Sequence, residues 1–189
     1  MEYYKLIANL SKYPKTLDFT NVLNYSDFEI RKVNSDIENE INFKENFKIE
    51  VDIDSGKKEL DFNLSYQGLV IVSQRLKSIL EYDGGNIDFI KVDVINFNLK
   101  EEYYAIKVKD FFDCVDETKS EFEYYPSDNI LKKNKYKNLN RYYIDSTKVG
   151  NSKIFRIEKY FPQIIITEDL KRIFVENKVT GIDYNTTWE

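Results

Sequence analysis

The chain contains no histidine in 189 residues, and that absence removes whole classes of chemistry. Triads with a histidine base, histidine-ligated catalytic zinc and imidazole proton shuttles are all out of reach. Carboxylate-only acid–base chemistry and lysine nucleophiles survive this filter, so an enzyme is disfavoured without being excluded. A single cysteine, Cys114, rules out an internal disulfide and a cysteine-rich zinc site, and it reads as a free structural thiol in a reducing cytosol. Glycine is scarce, with 6 residues, and no Gly-rich phosphate cradle of the dinucleotide or P-loop type is present. No apolar run approaches the roughly 20 residues that span a bilayer, and Met1-Glu2-Tyr3-Tyr4-Lys5-Leu6 lacks the basic and apolar regions of a signal peptide. A cytoplasmic protein with no cofactor, no metal and no membrane contact is expected. Positive charge is also in deficit, with 28 Lys and Arg against 33 Asp and Glu for a net charge of -5. That balance speaks against a general nucleic-acid binder and suits a basic partner.

What is present starts with 42% hydrophobic content, enough to bury one substantial core without metals or disulfides. The most informative pattern is a repeat. Ile71-Val72-Ser73-Gln74-Arg75-Leu76-Lys77-Ser78-Ile79 is echoed by Ile165-Ile166-Thr167-Glu168-Asp169-Leu170-Lys171-Arg172-Ile173. In each copy a β-branched run ends at a hydroxyl residue able to cap a helix, and an apolar stripe at i, i+3, i+4 follows. The first helix is expected from Gln74 to about Tyr82 and the second from Glu168 to about Asn177. A further strand follows each, at Ile87-Asp88-Phe89 and at Ile182-Asp183-Tyr184, after reversals at Gly84-Gly85 and Gly181.

Residues 1–66 read as an N-terminal segment packed on a larger body, residues 67–189, that holds both copies. An edge strand is expected at Tyr3-Tyr4-Lys5-Leu6-Ile7, followed by a mostly irregular stretch to Asn42. Phe47, Ile49, Val51 and Ile53 then alternate with charged residues, and Leu60, Phe62 and Leu64 repeat the pattern after a turn at Gly56. These predict a β-hairpin over about 47–64 with one wet face. Ile90, Val92 and Val94, then Tyr104, Ile106 and Val108, predict two more half-exposed strands. The fold class is therefore α+β: a mostly antiparallel or mixed sheet with a few short helices and two similar strand-helix-strand units.

Three stretches invite a functional reading. Lys132 to Arg141 interleaves basic residues with Tyr136, and reads as a solvated loop rather than a nucleic-acid patch. The acidic series Asp110, Asp113, Asp116, Glu117, Glu121 and Glu123 lacks the EF-hand spacing and its glycine, and reads as a solvated face or a surface for a basic partner. Arg156, inside the apolar run Ile154-Phe155-Arg156-Ile157, is either an anion-binding arginine or, more simply, a residue on the wet face or paired with a carboxylate. Trp188 reads as an aromatic that pins the chain terminus.

Together, Leu69-Val70-Ile71-Val72-Ser73-Gln74-Arg75-Leu76-Lys77, Tyr103-Tyr104 and Asp113-Cys114-Val115-Asp116-Glu117-Thr118-Lys119-Ser120-Glu121-Phe122 resemble the eleventh numbered immunity family of bacterial polymorphic toxin systems, formerly a domain of unknown function. Ile154-Phe155-Arg156-Ile157, Ile164 to Lys171 and Val179-Thr180-Gly181-Ile182 resemble its C-terminal half. The resemblance spans Leu69 to Tyr184 and leaves Met1 to Gln67 unplaced. It implies a cytosolic, non-catalytic antidote that binds a cognate secreted toxin effector domain. Exposed acids at Asp113, Asp116, Glu117, Glu121 and Glu123 are the expected partner-binding residues, with the loop at 127–141 as second choice. Two other classes stay open. One is a non-enzymatic adaptor or regulatory module, for example in phage defence, and the more distant one is a carboxylate-based enzyme.

Overall fold

A computed structural model describes residues 2–9, 12–13, 15–34, 43 and 45–188. In chain order the elements are β1 (Tyr3–Ala8), β2 (Asp18–Val22), α1 (Asp27–Val33), β3 (Phe47–Asp52), β4 (Phe62–Leu64), β5 (Val70–Ser73) and α2 (Gln74–Asp83). They continue with β6 (Ile87–Val94), β7 (Tyr103–Val108), β8 (Phe111–Phe112), β9 (Phe122–Tyr124), β10 (Tyr136–Leu139), β11 (Ile154–Ile157), β12 (Tyr160–Thr167), α3 (Glu168–Glu176) and β13 (Ile182–Thr186). Six strands form a mixed sheet in the order β2-β3-β6-β7-β5-β4 and five form a second sheet in the order β13-β1-β12-β11-β8, with β9 and β10 as a separate ribbon. The α+β class read from sequence is the one observed.

Both repeated units form as their residues dictate. The Ser73 hydroxyl accepts from the Leu76 amide at 3.2 Å and the Thr167 hydroxyl from the Leu170 amide at 3.4 Å, so each helix starts at its expected cap. Each unit is a split β-α-β arrangement. Strands β5 and β6 flank β7, strands β12 and β13 flank β1, and the central strand is antiparallel to both neighbours in each case. Leu76 and Leu80 of α2 and Leu170 and Phe174 of α3 are buried in one cluster with Val70, Val72, Ile106, Val108, Tyr4, Leu6, Ile164 and Ile166. The helices thus share a core between the two sheets, and each fully buried aliphatic or Phe side chain there contributes about 1.5–3 kcal/mol.

Both sheets are covered on their outer faces as well. Leu17, Phe19, Ile30, Val33, Phe47, Ile49, Ile71 and Tyr103 form a second cluster under α1. Tyr3, Phe155, Ile157 and Ile165 form a third with Cys114, Val115, Tyr136, Leu139, Tyr142 and Val149. One wet face, expected from alternation in β3, β6 and β7, holds for β3, where Lys48 and Glu50 are exposed; in β7 Ala105, expected on the wet face, is buried, and all four residues of β5 and of β11 are buried as well.

Three further expectations change. The hairpin over about 47–64 does not form: β3 pairs with β2 and β6, and β4 pairs with β5. Between them the chain leaves for the N-terminal loop, where the Leu17 amide donates to Lys58 O and the Lys58 amide to Lys15 O. Gly56 does take a positive φ of 148°, but its use is close approach, since a Cβ there would lie 2.0 Å from Lys15 backbone. The strand at Tyr3–Ala8 exists but lies between β12 and β13 instead of at an edge. The stretch expected to be irregular contains β2 and α1, the latter closed by a capping box between Ser26 and Glu29. Its remaining part, residues 35–42, lies outside the described residues.

Candidate functional site

The acidic stretch leaves the second sheet at β8 and returns as β9, so its carboxylates surround the base of the β9–β10 ribbon. Glu117 is the hub. Its Oε1 accepts from the Tyr124 hydroxyl at 2.6 Å, the Tyr136 hydroxyl at 2.6 Å and Lys159 Nζ at 3.1 Å. Those two tyrosine hydroxyls, then Lys159, hold the Glu117 carboxyl down at about 2. Lys159 also reaches Asp113 at 3.0 Å, and although burial lowers its pKa, the bonds to Asp113 and Glu117 outweigh that and raise it. The rings complete the base: Tyr124 stacks on Tyr136 at 5.1 Å, and Phe122 packs against both at 5.2 Å.

The remaining acids are engaged more locally. Asp116 accepts from Lys119 Nζ at 2.7 Å and from the Thr118 hydroxyl at 2.6 Å, which bring its carboxyl to about 2. Glu123 pairs with Lys137 at 2.8 Å and Asn138 at 2.7 Å, and Lys137 first, then Asn138, lower its pKa. Glu121 differs. Its backbone is bonded to Arg141 and Asn140, while its exposed carboxylate has no partner among the described residues. Of the five sequence-predicted partner-binding acids, Asp113 and Glu117 are therefore brought together on Lys159, Asp116 and Glu123 are each held by partners of their own, and Glu121 stands alone among the described residues. Burial pushes the neighbouring Cys114 thiol up to about 12, the environment of an inert structural cysteine.

Past its base the ribbon carries the basic stretch, part of which is strand rather than loop, with Tyr136 and Leu139 buried. Between the strands, residues 126–135 fold into a turn closed by the amide of Asn129 to Pro126 O at 3.0 Å, Lys132 to Asn129 O at 3.1 Å and Lys135 to Lys132 O at 3.0 Å. Ile130 and Leu131 stand on that turn, 85% and 95% exposed. Sequence reading overlooked them, because two aliphatic residues between polar neighbours carry no periodicity that marks them as outward.

Arg156 corrects both simple expectations. It is neither on a wet face nor paired with a carboxylate among the described residues; it is 1% exposed, and Nη1 donates to Phe161 O at 2.5 Å and Nη2 to Asn34 Oδ1 at 2.9 Å. Burial lowers its pKa to about 10. The side chain crosses to Asn34, the C-cap of α1, where the negative end of the helix dipole favours a cation. Trp188 is exposed, and Thr187 ties the terminus instead, through bonds with Tyr3 and Tyr142.

Among the described residues no group of three or more His, Cys, Asp or Glu is placed to hold a metal ion, and no helix is long and apolar enough to cross a membrane. No curated protein matches the chain. A family model described as an immunity protein family, Imm11, matches residues 6–188, taking in the N-terminal part that the sequence resemblance had left unplaced. The chain belongs to the Imm11 immunity protein family.

Proposed function

We propose that this protein is a stoichiometric antidote: it acts in the cytoplasm of the producing cell, binds the effector domain of a cognate secreted toxin and blocks it without catalysis. The observation that carries this reading is the family match over residues 6–188, nearly the whole chain. The site chemistry supports it. Carboxyls held at about 2 by hydroxyl and ammonium donors remain ionised and engaged near neutrality, which suits a rigid binding surface and is poorly matched to proton transfer.

The net charge of -5 favours a basic effector domain through long-range steering. Within the acidic stretch, Glu121 is the carboxylate free to meet such a partner, because Asp113, Asp116, Glu117 and Glu123 already hold cations or hydroxyls. The test is co-expression with the effector domain encoded beside this gene, scoring rescue of growth and co-purification. Rescue with a stable complex is expected. An active effector that still kills, with no complex formed, would move the adaptor reading to the front. In the complex, Glu121→Lys is expected to weaken binding a few-fold at low salt and less at high salt, the mark of a rim charge.

A further inference from the structure

We infer that the β9–β10 turn is the anchor of the antidote, with Ile130 and Leu131 entering an apolar pocket on the effector domain whose lip carries carboxylates. The inference rests on the antidote reading and adds the contact. Single exposed aliphatic residues are ordinary on a protein surface. Here two adjacent ones are almost wholly exposed on the turn that joins β9 to β10, where the turn itself needs neither.

The turn is also preorganised. Its backbone bonds close it internally, Lys132 lies 4.5 Å over the Tyr125 ring and donates to the Tyr125 hydroxyl at 3.1 Å, and Lys135 reaches Glu158 O at 2.9 Å. Below it, Glu117, Tyr124, Tyr136 and Lys159 lock the ribbon to the second sheet. An element fixed before binding loses little conformational entropy on docking, which is how tight binders limit the cost of association.

Charge selects the pocket. The turn residues 126–134 contain Lys132 and Lys133 against a single acid, Asp128. The tip is therefore locally basic on a protein of net charge -5. At physiological ionic strength charges are screened beyond about 8 Å, so a partner at the tip meets these lysines rather than the distant acidic balance. Lys133 is exposed and has no partner among the described residues, which makes it the cation available to a carboxylate lip.

The test measures binding of the adjacent-encoded effector domain, as purified protein, to the full-length chain and to the double variant Ile130→Ser/Leu131→Ser, with melting curves for both. The variant is expected to melt with the wild type, since neither side chain is packed, and to bind about 100-fold more weakly, equivalent to about 2.7 kcal/mol. Lys133→Glu is expected to cost about tenfold, with a salt dependence that the double variant lacks. Equal affinity of wild type and double variant would overturn the anchor while leaving the antidote reading intact. Failure of the wild type itself to bind would overturn both. Vesicles of phosphatidylcholine and phosphatidylglycerol form the control arm: tip-dependent vesicle binding with unaltered effector affinity would reassign the turn to a lipid surface and overturn the inference.

Discussion

In the first repeated unit, β5, α2 and β6 are completed by β7, the strand that follows directly; in the second, β12, α3 and β13 are completed by β1, from the other end of the chain. The strand orders nevertheless correspond position by position, β6-β7-β5-β4 against β13-β1-β12-β11. The second unit is the first with its last strand removed and placed at the start of the chain. Ile90 and Ala105 pair across 15 residues, whereas Leu6 and Tyr184 pair across 178. Loop-closure entropy grows only as the logarithm of length, so the longer closure costs about 2 kcal/mol more, roughly the burial of one aliphatic side chain. Tyr4 and Leu6, both buried in the shared core, are enough to offset it. A strand's place is thus decided by the face it offers and the slot it fills, with sequence distance a minor charge.

The largest expected effects test whether the two units stand on one core. Phe174→Ala in α3 should cost about 3–5 kcal/mol and Leu80→Ala in α2 about 2–5 kcal/mol, because both side chains are buried in the same cluster. Denaturant unfolding followed by tyrosine fluorescence and by far-ultraviolet dichroism should shift as a single transition in either variant. A Phe174→Ala protein that unfolds in two steps, with α2 and its sheet surviving the first, would separate the units and break the comparison.

Next in size comes the clasp between them. Asp61, just before β4, accepts from the Ser73 hydroxyl, from Arg75 through two nitrogens, and from the amide and hydroxyl of Thr180. Arg75 of the first unit continues to the carbonyls of Asn177 and Lys178 at the end of α3, at 2.7 and 3.2 Å. Gly181 lets the second unit approach this closely, as a Cβ there would lie 2.2 Å from Phe62 O. Burial pushes the Asp61 carboxyl up, and the bonds from Arg75, Thr180 and Ser73 outweigh that and bring it below its ordinary value. A depressed carboxyl contributes stability that is present above its unfolded value of about 3.9 and is lost as pH falls through the folded value. Asp61→Asn should therefore cost about 2–3 kcal/mol at neutral pH, held below a fully buried pair because Arg75 is half exposed, and should flatten part of the acid limb below about pH 4. An unaltered acid limb would show that the clasp closes without charge.

Much of this was legible in the sequence because it is local. Ser73 and Thr167 announced caps, and the spacing of Leu76 and Leu80, and of Leu170 and Phe174, announced helices, which need nothing beyond their own turns. Strand existence was legible for the same reason at Phe47–Asp52, Ile87–Val94 and Tyr103–Val108. Strand partners were not. Alternation reports a buried face without naming a neighbour, so β3 and β4 read as a hairpin, and β1 as an edge, while long-range packing placed them otherwise. The acidic residues were visible as a cluster, but their capture by Lys159, Lys137, Tyr124 and Tyr136 depends on the ribbon folding back over them. Ile130 and Leu131 were silent because exposure is a property of the turn that carries them.

The smallest predicted effects sharpen the comparison at its most repeated position. Ser73 and Thr167 occupy equivalent cap sites, yet Ser73 also donates to Asp61 at 3.0 Å, whereas among the described residues the Thr167 hydroxyl makes the cap bond alone. The second helix has additional support from Glu168 and Asp169 in its first turn, while the first turn of α2 has no acid. Thr167→Ala should therefore cost about 1 kcal/mol, and Ser73→Ala about 2 kcal/mol, the excess being the lost donor to a buried carboxylate. In an Asp61→Asn background that excess should shrink until the two caps are nearly equal. Equal losses in the wild-type background would mean that the units differ in connectivity alone, and that the clasp draws its strength from Arg75 and Thr180 without the cap.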